Sequence, residues 1–210
     1  MGFISSDAPR AQWAKISNGK VVLSSKSELP GYQSRVTKVG TIVFERFYDS
    51  FEGQLTAISV KEGQFGSQFI FAFRDGEDVT NVCVDYDSRY SRALLNRLLH
   101  PSVDFKKTMK ITPFDFTTKE DQRRVGINVY QNGQKIENAY TKEEVPDPIK
   151  TLVKKVITWD FTPQVEFFEA KMNALILPKL DSALPFIKEN KVAQVSSNAV
   201  QIEDDFFSFE

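Results

Sequence analysis

The segment 63–86 constrains the fold of this chain more than any other. Three phenylalanines alternate with other residues before an Asp-Gly pair at 75–76, and two valines alternate after it. A period of two is typical of β-strands, and Asp-Gly is typical of a hairpin turn. A connection of two or four residues centred on Asp75-Gly76 pairs Phe71 with Thr80. It places the phenylalanines on one face with Val82, which we interpret as the core.

A three-residue loop would reverse this interpretation and expose the phenylalanines as a platform on which bases could stack. In the favoured register the opposite face is mixed, and Arg74 is the residue on it that could contact a ligand.

Four further segments have the alternation of strands, and one has the spacing of a helix. The strands are predicted at 35–48 with a bend at Gly40, at 55–62, at 108–116, and at 123–130 with a return over 134–140. The helix is predicted over 88–99, with Ser88 as N-cap and Pro101 beyond its end. Between residues 55 and 130 the order is three strands, a helix and two strands. This order predicts an OB-fold, a five-stranded Greek-key barrel with the helix between strands 3 and 4.

Two C-terminal helices are predicted after the barrel. Asp147-Pro148 and Thr162-Pro163 each combine an N-cap residue with proline at the first helical position, and apolar residues follow at helical spacing. The apolar residues of the second predicted helix end at Pro178. We therefore expect an N-terminal arm (1–34), an OB-fold domain with a C-terminal helical extension (35–190), and a linker with an acidic, aromatic, disordered tail (191–210).

The sequence lacks the residue patterns of the common catalytic sites. One histidine and one cysteine cannot form a Cys/His metal cluster, and there is no phosphate-binding glycine loop or serine elbow. No run of about 18 apolar residues predicts a membrane span. We expect a binding protein rather than an enzyme, without cofactor or metal, in a reducing compartment such as the cytoplasm.

Charge is distributed unevenly along the chain. Between residues 89 and 135 there are ten Lys and Arg against four acids, whereas the last eleven residues hold four acids and no base. Binding of single-stranded nucleic acid requires cations for the phosphates and aromatic rings for the bases. The candidate residues are Arg74, Lys110, Phe114, Arg123, Arg124, Tyr130, Lys135 and Tyr140. Pairing across Asn132-Gly133 places Tyr130 opposite Lys135, a pair equally compatible with an ordinary polar surface.

The tail joins acidic residues to phenylalanines, and disordered termini usually lack aromatics. A segment of this kind is either an ordinary terminus or a partner-binding peptide, which could also lie in a basic groove as a mimic of DNA. Its candidate residues are Glu203, Asp204, Asp205, Phe206, Phe207 and Phe209.

Four segments and the tail together resemble a known family. The segments are Gly-Gln-Phe-Gly-Ser-Gln-Phe-Ile-Phe at 63–71, Arg-Asp-Gly at 74–76, Tyr-Asp-Ser-Arg-Tyr at 86–90 and Val-Tyr-Gln-Asn-Gly-Gln-Lys-Ile at 129–136. They resemble single-stranded DNA-binding proteins of bacteriophages, in particular OB-fold proteins of crAss-like and related tailed phages. The tail is similar to those of T7-type and bacterial single-strand binders.

The resemblance covers about residues 13–140 and the tail, but not the predicted helices between 147 and 177. It implies coating of single-stranded DNA during phage replication and recombination in the cytoplasm of a bacterial host. It also implies that the tail docks a polymerase, primase or helicase. The T7-type and bacterial tails end on phenylalanine, whereas Glu210 follows Phe209 here, which leaves docking through a terminal carboxylate in doubt.

Two other functions are compatible with the sequence. One is an OB-fold structural or adaptor protein that binds another protein rather than DNA. The other is an accessory to a nuclease or ligase, in which the fold brings carboxylates together to hold a divalent metal.

Overall fold

A computed structural model of the protein describes residues 12–37, 40–63, 66–153 and 156–183. The strands are β1 (Gln12–Ser17), β2 (Lys20–Ser25), β3 (Gln33–Val36), β4 (Ile42–Tyr48), β5 (Phe51–Gly63), β6 (Gly66–Asp75), β7 (Asp78–Asp85), β8 (Met109–Thr117), β9 (Arg123–Gln131), β10 (Gln134–Ile136), β11 (Ile149–Val153) and β12 (Val156–Asp160). The helices are α1 (Arg89–Leu98), α2 (Thr162–Leu175) and α3 (Leu177–Ala183), with a 3₁₀ helix at Lys142–Glu144.

Ten of the strands form one mixed sheet in the order β10-β9-β8-β5-β6-β7-β1-β2-β4-β3. Its neighbouring strands are antiparallel except β1 and β7, which are parallel. The prediction of a mainly β protein with C-terminal helices is confirmed. The sheet has ten strands where the sequence predicted five, because β1 to β4 extend it beyond β7 and β10 extends it beyond β9. The segment predicted as an N-terminal arm thus supplies two complete strands of the sheet.

The hairpin β6–β7 supplies the centre of the core. Phe69, Phe71 and Phe73 are at most 2% exposed, so they face the core as predicted. The predicted register is wrong by two residues, since Phe71 lies opposite Val82 rather than Thr80. The turn is formed by Gly76 and its successor, and the left-handed φ of +59° at Gly76 suits glycine at that position. A shift of two residues keeps every side chain on its face, which is why the core assignment survives.

Helices α1 and α2 cover the same core. The Ser88 side chain accepts a hydrogen bond from the Ser91 backbone N–H, which confirms the predicted N-cap. Leu94, Leu95 and Leu98 of α1 are buried against the sheet. From α2, the buried side chains are Val165, Phe168 and Met172.

The segment predicted as one strand over 35–48 is a hairpin of two strands. Val36 lies opposite Ile42, so β3 and β4 run antiparallel. Gly40 has a φ of +85°, and the Thr37 hydroxyl accepts a hydrogen bond from the Thr41 backbone N–H. The glycine therefore allows the chain to reverse rather than bend.

The helix predicted from Asp147-Pro148 is also wrong, because this segment forms the hairpin β11–β12. Apolar residues there fit the period of a helix, but half of the twelve residues from Ile149 to Asp160 are Ile, Val or Thr, which branch at Cβ and favour strands. The helix predicted at Thr162 is confirmed. It ends at Leu175, and Pro178 lies in the first turn of α3, where its missing N–H costs no hydrogen bond. Within the described ranges no helix is long and apolar enough to cross a membrane.

Candidate nucleic-acid interface

The strands β8, β9 and β10 present one face to the core and the two ends of the other face to solvent. In the middle of that second face the Thr112 hydroxyl is buried, and Arg97 of α1 donates to Asn128 Oδ1 at 3.5 Å. On the core side Ile111 lies opposite Val129, and both are fully buried. Because neighbouring residues of a strand point to opposite faces, Lys110 and Tyr130 lie on the solvent side. We call this side the three-strand face. Its side chains are Lys110, Thr112, Phe114, Phe116, Arg124, Asn128, Tyr130 and Lys135.

One end of the three-strand face is a row of three residues across three strands. Lys110 lies opposite Tyr130, and Tyr130 lies opposite Lys135, as predicted for the second pair. Lys110 Nζ is 3.8 Å from an oxygen of Glu52, and Lys135 Nζ is 3.8 Å from an oxygen of Glu137. Long, exposed ion pairs of this kind contribute little stability. Both ammonium groups can therefore turn to an incoming phosphate at low cost.

The other end of the face carries two aromatic rings and a guanidinium. The Phe114 ring lies directly over Gly126, where a Cβ atom would come within 2.8 Å of the ring. Phe116 is 54% exposed, and its ring centroid is 5.8 Å from that of Phe114. Arg124 lies opposite Phe116 and donates a hydrogen bond to Gln122 Oε1 at 2.9 Å. Glycine at 126 thus leaves room for the far end of the Phe114 ring, next to an exposed ring and a cation.

The structure brings together five of the eight predicted residues. They are Lys110, Phe114, Arg124, Tyr130 and Lys135. Phe116 belongs to the same face and was missed by the sequence analysis. Its alternation with Phe114 was the signal that could have found it.

The remaining three predicted residues lie elsewhere. Arg74 is on β6 opposite Val79, in another part of the sheet. Tyr140 is half-buried, with its ring 5.2 Å from that of Phe167 on α2. Arg123 precedes Arg124 on the same strand and therefore points away from the three-strand face.

Arg123 instead forms a two-pronged ion pair with Asp115. Its Nε and Nη2 donate to the two carboxylate oxygens at 2.9 and 2.6 Å. The hydrogen bonds and charge of this guanidinium hold the pKa of Asp115 below its ordinary value. The pair borders a groove of about 690 Å³ between the β1–β2 turn, the start of α1 and the β8–β9 loop. Because the Arg123 guanidinium already pairs with Asp115, it is less available to bind a ligand in that groove.

Contacts beneath this groove hold the end of β8 in place. The Tyr90 hydroxyl accepts a hydrogen bond from the Gly19 backbone N–H at 2.8 Å. Gly19 has a φ of +70°, and a Cβ atom there would lie 2.5 Å from the Asp115 backbone nitrogen. Only glycine fits this contact, so the β1–β2 turn fixes the strand that carries the three-strand face.

Two exposed aromatic residues that sequence analysis did not select lie at the other end of the sheet. Trp13 on β1 is 42% exposed and Phe47 on β4 is 48% exposed. The alternation of residues along β1 and β4 does not show that these two rings are exposed, because both strands also carry buried residues.

The predicted tail residues, from Glu203 to Phe209, lie outside the described residues. Among the residues that the structure does describe, no cluster of three or more His, Cys, Asp or Glu side chains is placed to hold a metal ion. Comparison with protein-family models, with curated proteins and with solved structures gives no match to this chain.

Proposed function

We propose that this protein binds single-stranded DNA without sequence preference, and that the three-strand face makes the contact. The observation that carries the proposal is the row in which Tyr130 lies between Lys110 and Lys135 on adjacent strands. A ring between two cations offers a stacking surface for a base and partners for the phosphates on either side of it.

The second aromatic group extends this arrangement along the strands. Phe114, Phe116 and Arg124 repeat the combination of ring and cation at the other end of the same face. Stacking and phosphate contacts use features that all four nucleotides share. Binding through them is therefore independent of sequence.

The topology supports an OB-type core within the larger sheet. The elements β5, β6, β7, α1, β8 and β9 follow the OB order, and β5 pairs with both β6 and β8. A strand shared in this way allows a short sheet to curl into a barrel, and OB barrels commonly bind oligonucleotides. In this proposal β1 to β4 and β10 are additions to that core.

The biological setting belongs to the same proposal. We propose a role in DNA replication and recombination of a bacteriophage, in the cytoplasm of its bacterial host. The acidic, aromatic tail would dock a polymerase, primase or helicase and compete with DNA for the basic face. The support for this step is the opposed charge of tail and body in the sequence.

An adaptor that binds another protein is the second candidate, and one observation favours it. Val36 and Ile42 lie opposite each other on β3 and β4 and are 65% and 57% exposed. Exposed apolar pairs on a sheet edge are typical of protein docking sites.

The experiment is fluorescence anisotropy of a labelled oligo-dT with the full chain and with a 1–199 truncation, over a salt series and against duplex competitor. We expect salt-sensitive binding to single strands that strengthens when the tail is removed. The double substitution Tyr130→Ala, Lys135→Ala should weaken it by about 10-fold or more, since it removes a stacking ring and a phosphate contact.

The matched control is Tyr32→Ala, Lys142→Ala, which removes the same two residue types from a turn and from the 3₁₀ helix. It should bind like the unaltered protein. Absence of binding by both the full chain and the truncation, with the fold intact by circular dichroism, would favour the adaptor function.

A further inference from the structure

The hairpin β11–β12 projects from the protein without covering the core. All of its described side chains, at 149–152 and 157–160, are exposed. It is held by its own cross-strand contacts, such as the 2.7 Å hydrogen bond between the hydroxyls of Thr151 and Thr158. A two-stranded hairpin is only marginally stable in water unless something packs on it. Packing on the core therefore does not account for the exposed side chains of this hairpin.

One face of this hairpin combines an indole ring, two aliphatic side chains and a cation. Lys150 lies opposite Trp159, and Leu152 lies opposite Ile157. Trp159 is 53% exposed, Leu152 is 71% exposed and Ile157 is 52% exposed. The Lys150 ammonium lies over the Trp159 ring, 5.9 Å from its centre, so the cation and the ring are close to each other. We call these four residues the hairpin face.

Charge restricts what can cover the hairpin face. The twelve residues from Ile149 to Asp160 contain three lysines and one aspartate. Two copies of this hairpin would carry the same net positive charge, which disfavours pairing of the hairpin with a second copy of the chain. A polyanion has the complementary charge. Among polyanions, single-stranded nucleic acid also offers flat apolar surfaces, whereas a duplex keeps its bases stacked inside.

We infer that the hairpin face is a second contact for single-stranded DNA, separate from the three-strand face. Trp159 stacks on a base, Leu152 and Ile157 pack against the neighbouring base or sugar, and Lys150 binds a phosphate. This inference rests on the proposed function, because it assigns the same ligand to a second surface.

The chain offers a direct reporter, since Trp13 and Trp159 are its two tryptophans. In a Trp13→Phe background, all tryptophan emission comes from Trp159. Titration of this full-length variant with unlabelled oligo-dT should quench the emission, while anisotropy of a labelled oligonucleotide measures binding by the whole protein. Trp159→Ala should weaken oligonucleotide binding about 5-fold or more, and Trp159→Phe should retain most of it.

Ile149→Ala is the matched control, because Ile149 is 52% exposed on the opposite face of the same hairpin. It should leave affinity unchanged. If oligo-dT binds but Trp159 emission is constant and Trp159→Ala binds normally, the hairpin contact is wrong and the proposed function stands. If no variant binds, the proposed function fails and the inference fails with it. A change of Trp159 emission with protein concentration alone would overturn the inference in favour of self-association.

Discussion

Glu45 shows how one residue can couple the fold to pH. Its carboxylate on β4 is 4% exposed, and it accepts hydrogen bonds from Lys15 Nζ at 2.9 Å and from Arg35 Nε at 3.0 Å. Burial opposes ionisation of Glu45, but these hydrogen bonds and charges outweigh it, so the pKa of the carboxyl lies below its ordinary value. Burial also lowers the pKa of Lys15, because one shared carboxylate does not replace all of the hydration that the ammonium loses.

A lowered folded-state pKa predicts the pH range over which Glu45 stabilises the protein. Its contribution is complete above the ordinary pKa of about 4.5 and is lost as the pH falls through the lower folded value. We expect Glu45→Gln to reduce the free energy of unfolding at pH 7 by about 1–3 kcal/mol, since two cations lose their charged acceptor. The variant should also show a weaker loss of stability below pH 5 in urea unfolding.

The control is Glu62→Gln, which alters an exposed carboxylate at the end of β5. An unchanged acid dependence in the Glu45 variant would contradict this account of the ion group.

At the scale of elements, the two hairpins β9–β10 and β11–β12 differ in what lies beneath them. Val129 and Ile136 of the first are buried in the core, whereas the described side chains of the second are all exposed. Both sequences have strand-forming residues, so composition alone does not separate them. The difference lies in tertiary packing, and it should appear in their local stability.

Amide hydrogen exchange measures this difference. Amides paired between β11 and β12 should exchange through local opening, and therefore much faster than those of β9–β10. The pairs of β6 and β7, which carry the buried phenylalanines, should exchange only on global unfolding. Equal protection in both hairpins would contradict the description of β11–β12 as an exposed arm. Added oligo-dT should slow exchange in β11–β12 if the hairpin face binds DNA.

At the scale of the whole molecule, the net charge is close to neutral, at −1. The total charge therefore offers no long-range attraction for DNA, and under the proposed function the cations would act locally. The salt dependence of DNA affinity should therefore reflect only the number of phosphates that nearby lysines and arginines contact.

We expect the logarithm of affinity to fall with the logarithm of salt concentration by about 0.7 per phosphate neutralised. Lys110→Ala with Lys135→Ala should reduce the magnitude of this slope by about 1.4. Lys20→Ala with Lys142→Ala removes two exposed lysines away from the face and should leave it unchanged. A slope that is equal in both double variants would exclude these two lysines as phosphate contacts.

The sequence alone determined the local elements between about residues 55 and 136 and the faces that they bury. Alternation identified β6, β7, β8 and β9 and placed Phe69, Phe71 and Phe73 in the core. The N-cap at Ser88 and the turn at Asn132-Gly133 fixed α1 and the pairing of Tyr130 with Lys135. These features depend on backbone periodicity and turn chemistry, which act over a few residues.

The tertiary structure decided which strands are neighbours and which side chains share a surface. Proximity along the chain groups Arg123 and Tyr140 with Tyr130. In the structure, however, Arg123 pairs with Asp115 and Tyr140 packs on α2, so neither belongs to the three-strand face. The segment 149–160 satisfied the helix period, yet it is a hairpin. Periodicity assigns each residue to a face of its own element, whereas the partner of that face is chosen by pairing and packing between residues far apart in sequence.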